Sequence, residues 1–118
     1  MGLLDCKKHG LTSFLEVEDS ICEKIHAGEE LFDEDLDVIR ITWLFRMEGM
    51  EDDLQYFDYI VSKETKDRLG FQDEYILQED DEDVDTSPLN LKILCSKCFY
   101  EYPYRENLSS LLEKYYRQ

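Results

Sequence analysis

Val38-Ile-Arg-Ile-Thr-Trp-Leu-Phe-Arg-Met47 is dense in β-branched and aromatic side chains, the composition of a strand. Arg40, Thr42, Leu44 and Arg46 alternate with Ile39, Ile41, Trp43 and Phe45, which predicts a strand with one buried face. Gly49 and its acidic neighbours suit a hairpin loop, and Leu54-Gln-Tyr-Phe-Asp-Tyr-Ile-Val61 reads as the returning strand. With strands and interspersed helices around it, mostly joined by hairpin-length loops, this hairpin points to an α+β fold.

On the N-terminal side, Leu3 to Val17 is strand or irregular. Ser20-Ile-Cys-Glu23 has the form of a capping box opening a short helix, with Ile21 and Ile25 on one face and Gly28 as its stop. Glu29 to Asp37 is an acidic connector. On the C-terminal side, Ser62 is placed to cap a helix running through Arg68 and ended by Gly70. Tyr75–Gln78 is a brief strand, Gln78 to Ser87 a charged loop, and Leu89–Leu94 another strand. A terminal helix from about Asn107 to Tyr116 presents Leu108, Leu111, Leu112 and Tyr115 at helical spacing. The expectation is one α+β domain over residues 1–118, with a mainly antiparallel sheet and short helices.

Two motifs carry recognisable chemistry. Cys6-Lys-Lys-His9-Gly10 and Cys95-Ser-Lys-Cys98 are each a pair of soft ligands two residues apart, a spacing at which one turn aims both at the same ion. Cys6, His9, Cys95 and Cys98 together make a closed tetrahedral set suited to structural Zn²⁺, joining the two ends of the domain. Lys7, Lys8 and Lys97 lie inside the turns, where their charge would help depress the thiol pKa values. A competing set, Cys6, His9, Cys22 and His26, has the separations of a zinc finger with exchanged ligand types. It leaves Cys95 and Cys98 unused, and Cys22 between Ile21 and Ile25 is more simply a core residue.

Charge is the other dominant feature. The chain has 29 acidic residues against 13 basic ones, a formal charge of −16, which opposes binding to nucleic acid or to an anionic membrane. Eight Tyr and six Phe argue against a disordered acidic tail. Residues 28–37 hold six acids and no cation: Glu29, Glu30, Asp33, Glu34, Asp35 and Asp37. Residues 72–85 hold eight: Asp73, Glu74, Glu79, Asp80, Asp81, Glu82, Asp83 and Asp85. Glu48, Glu51, Asp52 and Asp53 form a third group. Apolar residues such as Leu31, Phe32, Phe71, Tyr75 and Ile76 sit within or beside the two longer runs, a mixture that suits an interface with a basic protein. The residues expected at that interface are Asp73, Glu74, Tyr75, Glu79–Asp83, Asp85, Glu29, Glu30 and Asp33. Glu79–Asp85 lacks the Gly and the spacing of an EF-hand, so it reads as a solvated loop.

No GxSxG, P-loop or HExxH motif occurs, there are two histidines, and a four-ligand metal has no site for water, so no enzymatic activity is expected. No apolar run of eighteen residues and no secretory leader is seen, which with four thiols points to a reducing cytoplasm. The CxxHG knuckle, the later CxxC and the acidic balance resemble the zinc-knuckle immunity proteins of bacterial contact-dependent and polymorphic toxin systems. That resemblance implies an antitoxin that binds a cognate basic toxin domain, often a nuclease, and covers its active site. Two other readings stand beside it: an acidic nucleic-acid mimic that regulates a nucleic-acid-binding protein, and a zinc-binding accessory subunit.

Overall fold

The computed structural model describes residues 3–46, 49 and 53–115. Along the chain run β1 (Leu4–Cys6), β2 (Gly10–Thr12), β3 (Phe14–Glu18), α1 (Asp19–Ala27), β4 (Leu36–Phe45), β5 (Asp53–Ser62) and α2 (Lys63–Leu69). After them come β6 (Glu74–Gln78), β7 (Leu91–Cys95), α3 (Ser96–Tyr100) and α4 (Ser109–Tyr115). β1 and β2 form a small ribbon, and the other five strands make one sheet in the order β6-β4-β5-β3-β7.

The β4–β5 hairpin is the expected one, paired in register from Leu36↔Ser62 to Phe45↔Asp53. β7 lies antiparallel to β3, from Phe14↔Cys95 to Glu18↔Leu91. Two pairings are parallel, β4 with β6 from Arg40↔Glu74 to Leu44↔Gln78 and β3 with β5 at Glu16↔Tyr59 and Val17↔Ile60. The fold is therefore α+β, with a mixed sheet whose longest ladder, β4–β5, is antiparallel. The helical connections α1 and α2 carry the chain across an intervening strand, which permits the parallel neighbours.

The expected single buried face of β4 is incorrect. Val38, Ile39, Arg40, Ile41 and Thr42 are consecutively buried, because both faces of the sheet are covered at this end. On one face α1 and the C-terminal segment supply Ile21, Cys22, Ile25, Phe99, Tyr102, Leu108 and Leu111, against Leu15, Val17, Val38 and Ile60. On the other, Ile39, Val61 and Leu89 form a smaller core with Phe71 and Tyr75 packed against it. Burying Arg40 requires a partner. Asp58, directly opposite on β5, accepts from Nε at 2.7 Å and from Nη2 at 2.8 Å, and the Tyr56 ring lies 4.9 Å from the guanidinium carbon.

α2 follows its local signals: the Ser62 hydroxyl accepts from the Thr65 N–H at 3.1 Å, and Gly70 ends the helix at φ 74°. α1 does not. Glu18 is its N-cap, and Ser20 lies inside the first turn, donating to Glu18 Oε2 at 2.7 Å instead of closing a capping box. The other oxygen of Glu18 accepts from the Ser62 backbone N–H at 3.3 Å, so its carboxylate links the starts of α1 and α2. Gly28 stops α1 as expected, at φ 71°.

Candidate metal centre

β1 and β2 flank the turn Lys7–His9, with Cys6 opposite Gly10 in register. Gly10 sits at φ 74°, where a Cβ would be strained. The turn thus presents Cys6 and His9 together. The second pair comes from the β7–α3 junction, with Cys95 as the N-cap of α3 and Cys98 within its first turn. Antiparallel pairing of β3 and β7 puts Cys95 opposite Phe14, and Thr12 Oγ1 lies 3.1 Å from Cys95 Sγ. Strand pairing therefore joins two motifs whose outer cysteines, Cys6 and Cys98, are 92 residues apart.

The four ligand atoms all lie within 4.8 Å of one another. A tetrahedron with Zn–S arms of about 2.3 Å and a Zn–N arm of about 2.05 Å has S–S edges of about 3.8 Å and S–N edges of about 3.6 Å. Cys6 Sγ is 3.7 Å from Cys98 Sγ, and His9 Nδ1 is 3.6, 3.6 and 3.5 Å from the sulfurs of Cys6, Cys95 and Cys98. Those edges match a metal-sized tetrahedron. The residues Cys6, His9, Cys95 and Cys98 are thus arranged to hold a metal ion.

A fifth residue, absent from the sequence expectation, completes the centre. Glu101 Oε1 is 2.8 Å from His9 Nε2 and Oε2 accepts from Lys8 Nζ at 2.7 Å. A proton held on Nε2 leaves the Nδ1 lone pair facing the three sulfurs, the orienting role carboxylates serve behind metal-bound histidines. Lys8 and then His9 hold the Glu101 carboxyl down to about 2. In the sequence Glu101 is one acid among 29, three residues beyond Cys98, with nothing to single it out. The expected role of the lysines needs correction: Lys8 is committed to Glu101, and the lowering of the Cys6 thiol comes first from the backbone N–H groups of His9 and Lys8.

Protons compete with any cation here. Burial, followed by the neighbouring thiols of Cys6 and Cys95, pushes the Cys98 thiol up to about 12, and Glu101 followed by Cys6 raises His9 to about 9. Binding a divalent ion must displace those protons. Cys22 and His26, by contrast, stand outside the four-ligand group. Their Sγ–Nδ1 distance is 3.8 Å, but Cys22 is buried in the core, where burial raises its thiol pKa. The zinc-finger alternative is therefore not the arrangement adopted.

The acidic runs fall at opposite ends of β4. Glu29, Glu30 and Asp33 precede Leu36, with the Glu29 carbonyl accepting from Tyr102 and Glu30 from Asn107. Glu79 follows Gln78, which pairs with Leu44 eight residues further along, about 26 Å away at strand rise. From there the exposed loop returns to Leu89, buried beside Ile39, so it crosses one face of the sheet. Within it Gln78 N–H donates to Asp81 and Ser87 to Asp85. Asp73 is engaged internally by Lys66, and Tyr75 is half-buried with its hydroxyl accepting from Gln72 N–H. Of the third group, Glu48, Glu51 and Asp52 lie outside the described residues.

No protein-family model, curated protein or solved structure matches this chain. Among the described residues no helix is long and apolar enough to cross a membrane.

Proposed function

We propose that this chain is an immunity protein, a zinc-stapled antitoxin that neutralises a basic toxin domain by laying an acidic surface over its active site. One observation carries the reading: a formal charge of −16 whose densest exposed segment, residues 79–85, lies across a sheet pinned at its far edge by the metal tetrad. Three thiolates and one imidazole at tetrahedral spacing favour Zn²⁺, and with four protein ligands the ion serves folding rather than chemistry. Long-range attraction would speed association with a cationic nucleic-acid groove, while desolvated apolar anchors would slow release.

The test is co-expression with the product of the reading frame next upstream, which is expected to end in a basic toxin-like domain. The expected result is a stoichiometric complex, loss of that domain's nuclease activity, and an association rate falling about tenfold or more between low and high salt. Several weakly bound basic partners would favour the nucleic-acid-mimic regulator instead. A rate indifferent to ionic strength, or an acidic partner, would sink the reading.

A further inference from the structure

β5 is central to the sheet, yet only its C-terminal half is covered on the β3 side. β3 meets it at Glu16↔Tyr59 and Val17↔Ile60 alone, so among the described residues no strand pairs with that edge over residues 53–58. A strand edge of this length presents unpaired N–H and C=O groups and is a template for another chain. Beside it opens a cleft of 520 Å³ whose walls include Phe14 and Glu16 on one side and Tyr56, Phe57 and Asp58 on the other. Phe57 also lines a second hollow with Trp43 and Phe45, whose rings stack 6.4 Å apart, on the same face as Phe14 and Glu16, whereas Tyr56 and Asp58 point to the other face. Alternate side chains of an added strand would therefore find aromatic seats on both faces.

The charge around this edge names the occupant. Neither hollow is lined by a Lys or Arg side chain, and Glu16, Asp58 and Glu79 border them. Glu16 has no hydrogen bond or ion pair among the described residues, and its half-burial raises its pKa. An incoming cation beside it would relieve that cost. A second copy of this chain would bring another −16 to the same edge.

We propose that an extended cationic segment of the protein partner adds as a sixth strand along residues 53–58 of β5. The partner's charge rests on the immunity reading, while the edge geometry stands without it. Main-chain hydrogen bonds would supply affinity, and the aromatic seats would select alternate side chains.

The probe is a synthetic twelve-residue peptide alternating lysine and valine, added to the full chain and followed by amide hydrogen exchange. The expected result is slowed exchange concentrated at residues 53–58, with binding weakened about tenfold in Glu16→Lys and in Phe57→Lys, both checked for native circular dichroism. Protection confined to residues 79–85, no binding at all, or protection in the free monomer of those amides of 53–58 that point away from β4 would overturn the proposal. So would a dimer through this edge in sedimentation of the protein alone. Edge protection by the peptide without any toxin-like partner would retain the strand addition and reject the immunity reading. A toxin complex that leaves residues 53–58 exchanging freely would do the reverse.

Discussion

Glu101 and Arg40 show how much a single polar residue can decide when its partner is fixed. Changing Glu101 to Gln should leave the fold intact but lower metal affinity about ten- to hundredfold, as loss of an orienting carboxylate does; competition with a chromophoric chelator would read it. Arg40→Met should cost about 3 kcal/mol in urea unfolding, because it strands the Asp58 carboxylate, whose side chain is 11% exposed. Combining Arg40→Met with Asp58→Leu should recover much of that loss, which separates the cost of an orphaned charge from the value of the pair. Neither Glu101 nor Arg40 is legible as important from the sequence. Arg40 sits in an alternating pattern that assigns it to solvent, and its burial depends on Asp58, eighteen residues away. Glu101 is hidden because a carboxylate in so acidic a chain carries little information until its partner is seen.

Among the elements, those specified by neighbouring residues are legible in the sequence and those specified by distant ones are not. Ser62 and Gly70 bracket α2 with signals that need nothing outside it, and the β4–β5 hairpin follows from alternation and loop chemistry. Ser62→Ala should therefore lower stability by about 1 kcal/mol, measured by denaturant midpoint at unchanged slope. The capping box at Ser20 fails because Glu18 offers its hydroxyl a closer acceptor and is itself recruited by Ser62. The parallel neighbours of β4 and β5 have no local signature. α2 also carries Lys66, 5% exposed, onto Asp37 at 2.7 Å, where Lys114 joins them. Burial opposes ionisation of Asp37, but the hydrogen bonds from Lys114 and then Lys66 outweigh it and hold the carboxyl down to about 2, below its ordinary 3.8. A carboxylate depressed on folding stabilises above its unfolded value and stops doing so as pH falls through the folded one. Asp37→Asn should thus flatten the stability profile between about pH 4 and pH 2, as followed by acid titration of the unfolding midpoint.

Over the molecule as a whole, the metal tetrad and the β3–β7 ladder fasten the same edge of the sheet from two sides. Chelation at neutral pH should lower the thermal midpoint, and zinc should restore it where magnesium does not, since thiolate and imidazole donors suit the softer ion. Below neutrality the metal should leave more readily, because Cys98 and His9, whose protons are held tightly without it, regain them as it does so. Both motifs are visible in the sequence as spacing alone, whereas the open run of β5 between them is not, because it arises from how few residues β3 shares with its neighbour. The staple also orders events in time. Cys98 is translated 92 residues after Cys6, so at about 5–20 residues per second a nascent chain carries half a coordination shell for roughly 5–18 seconds. Metal capture would thus come late in biosynthesis, and a product cut short before Leu91 would lack both Cys95 and Cys98 and the strand that frames them.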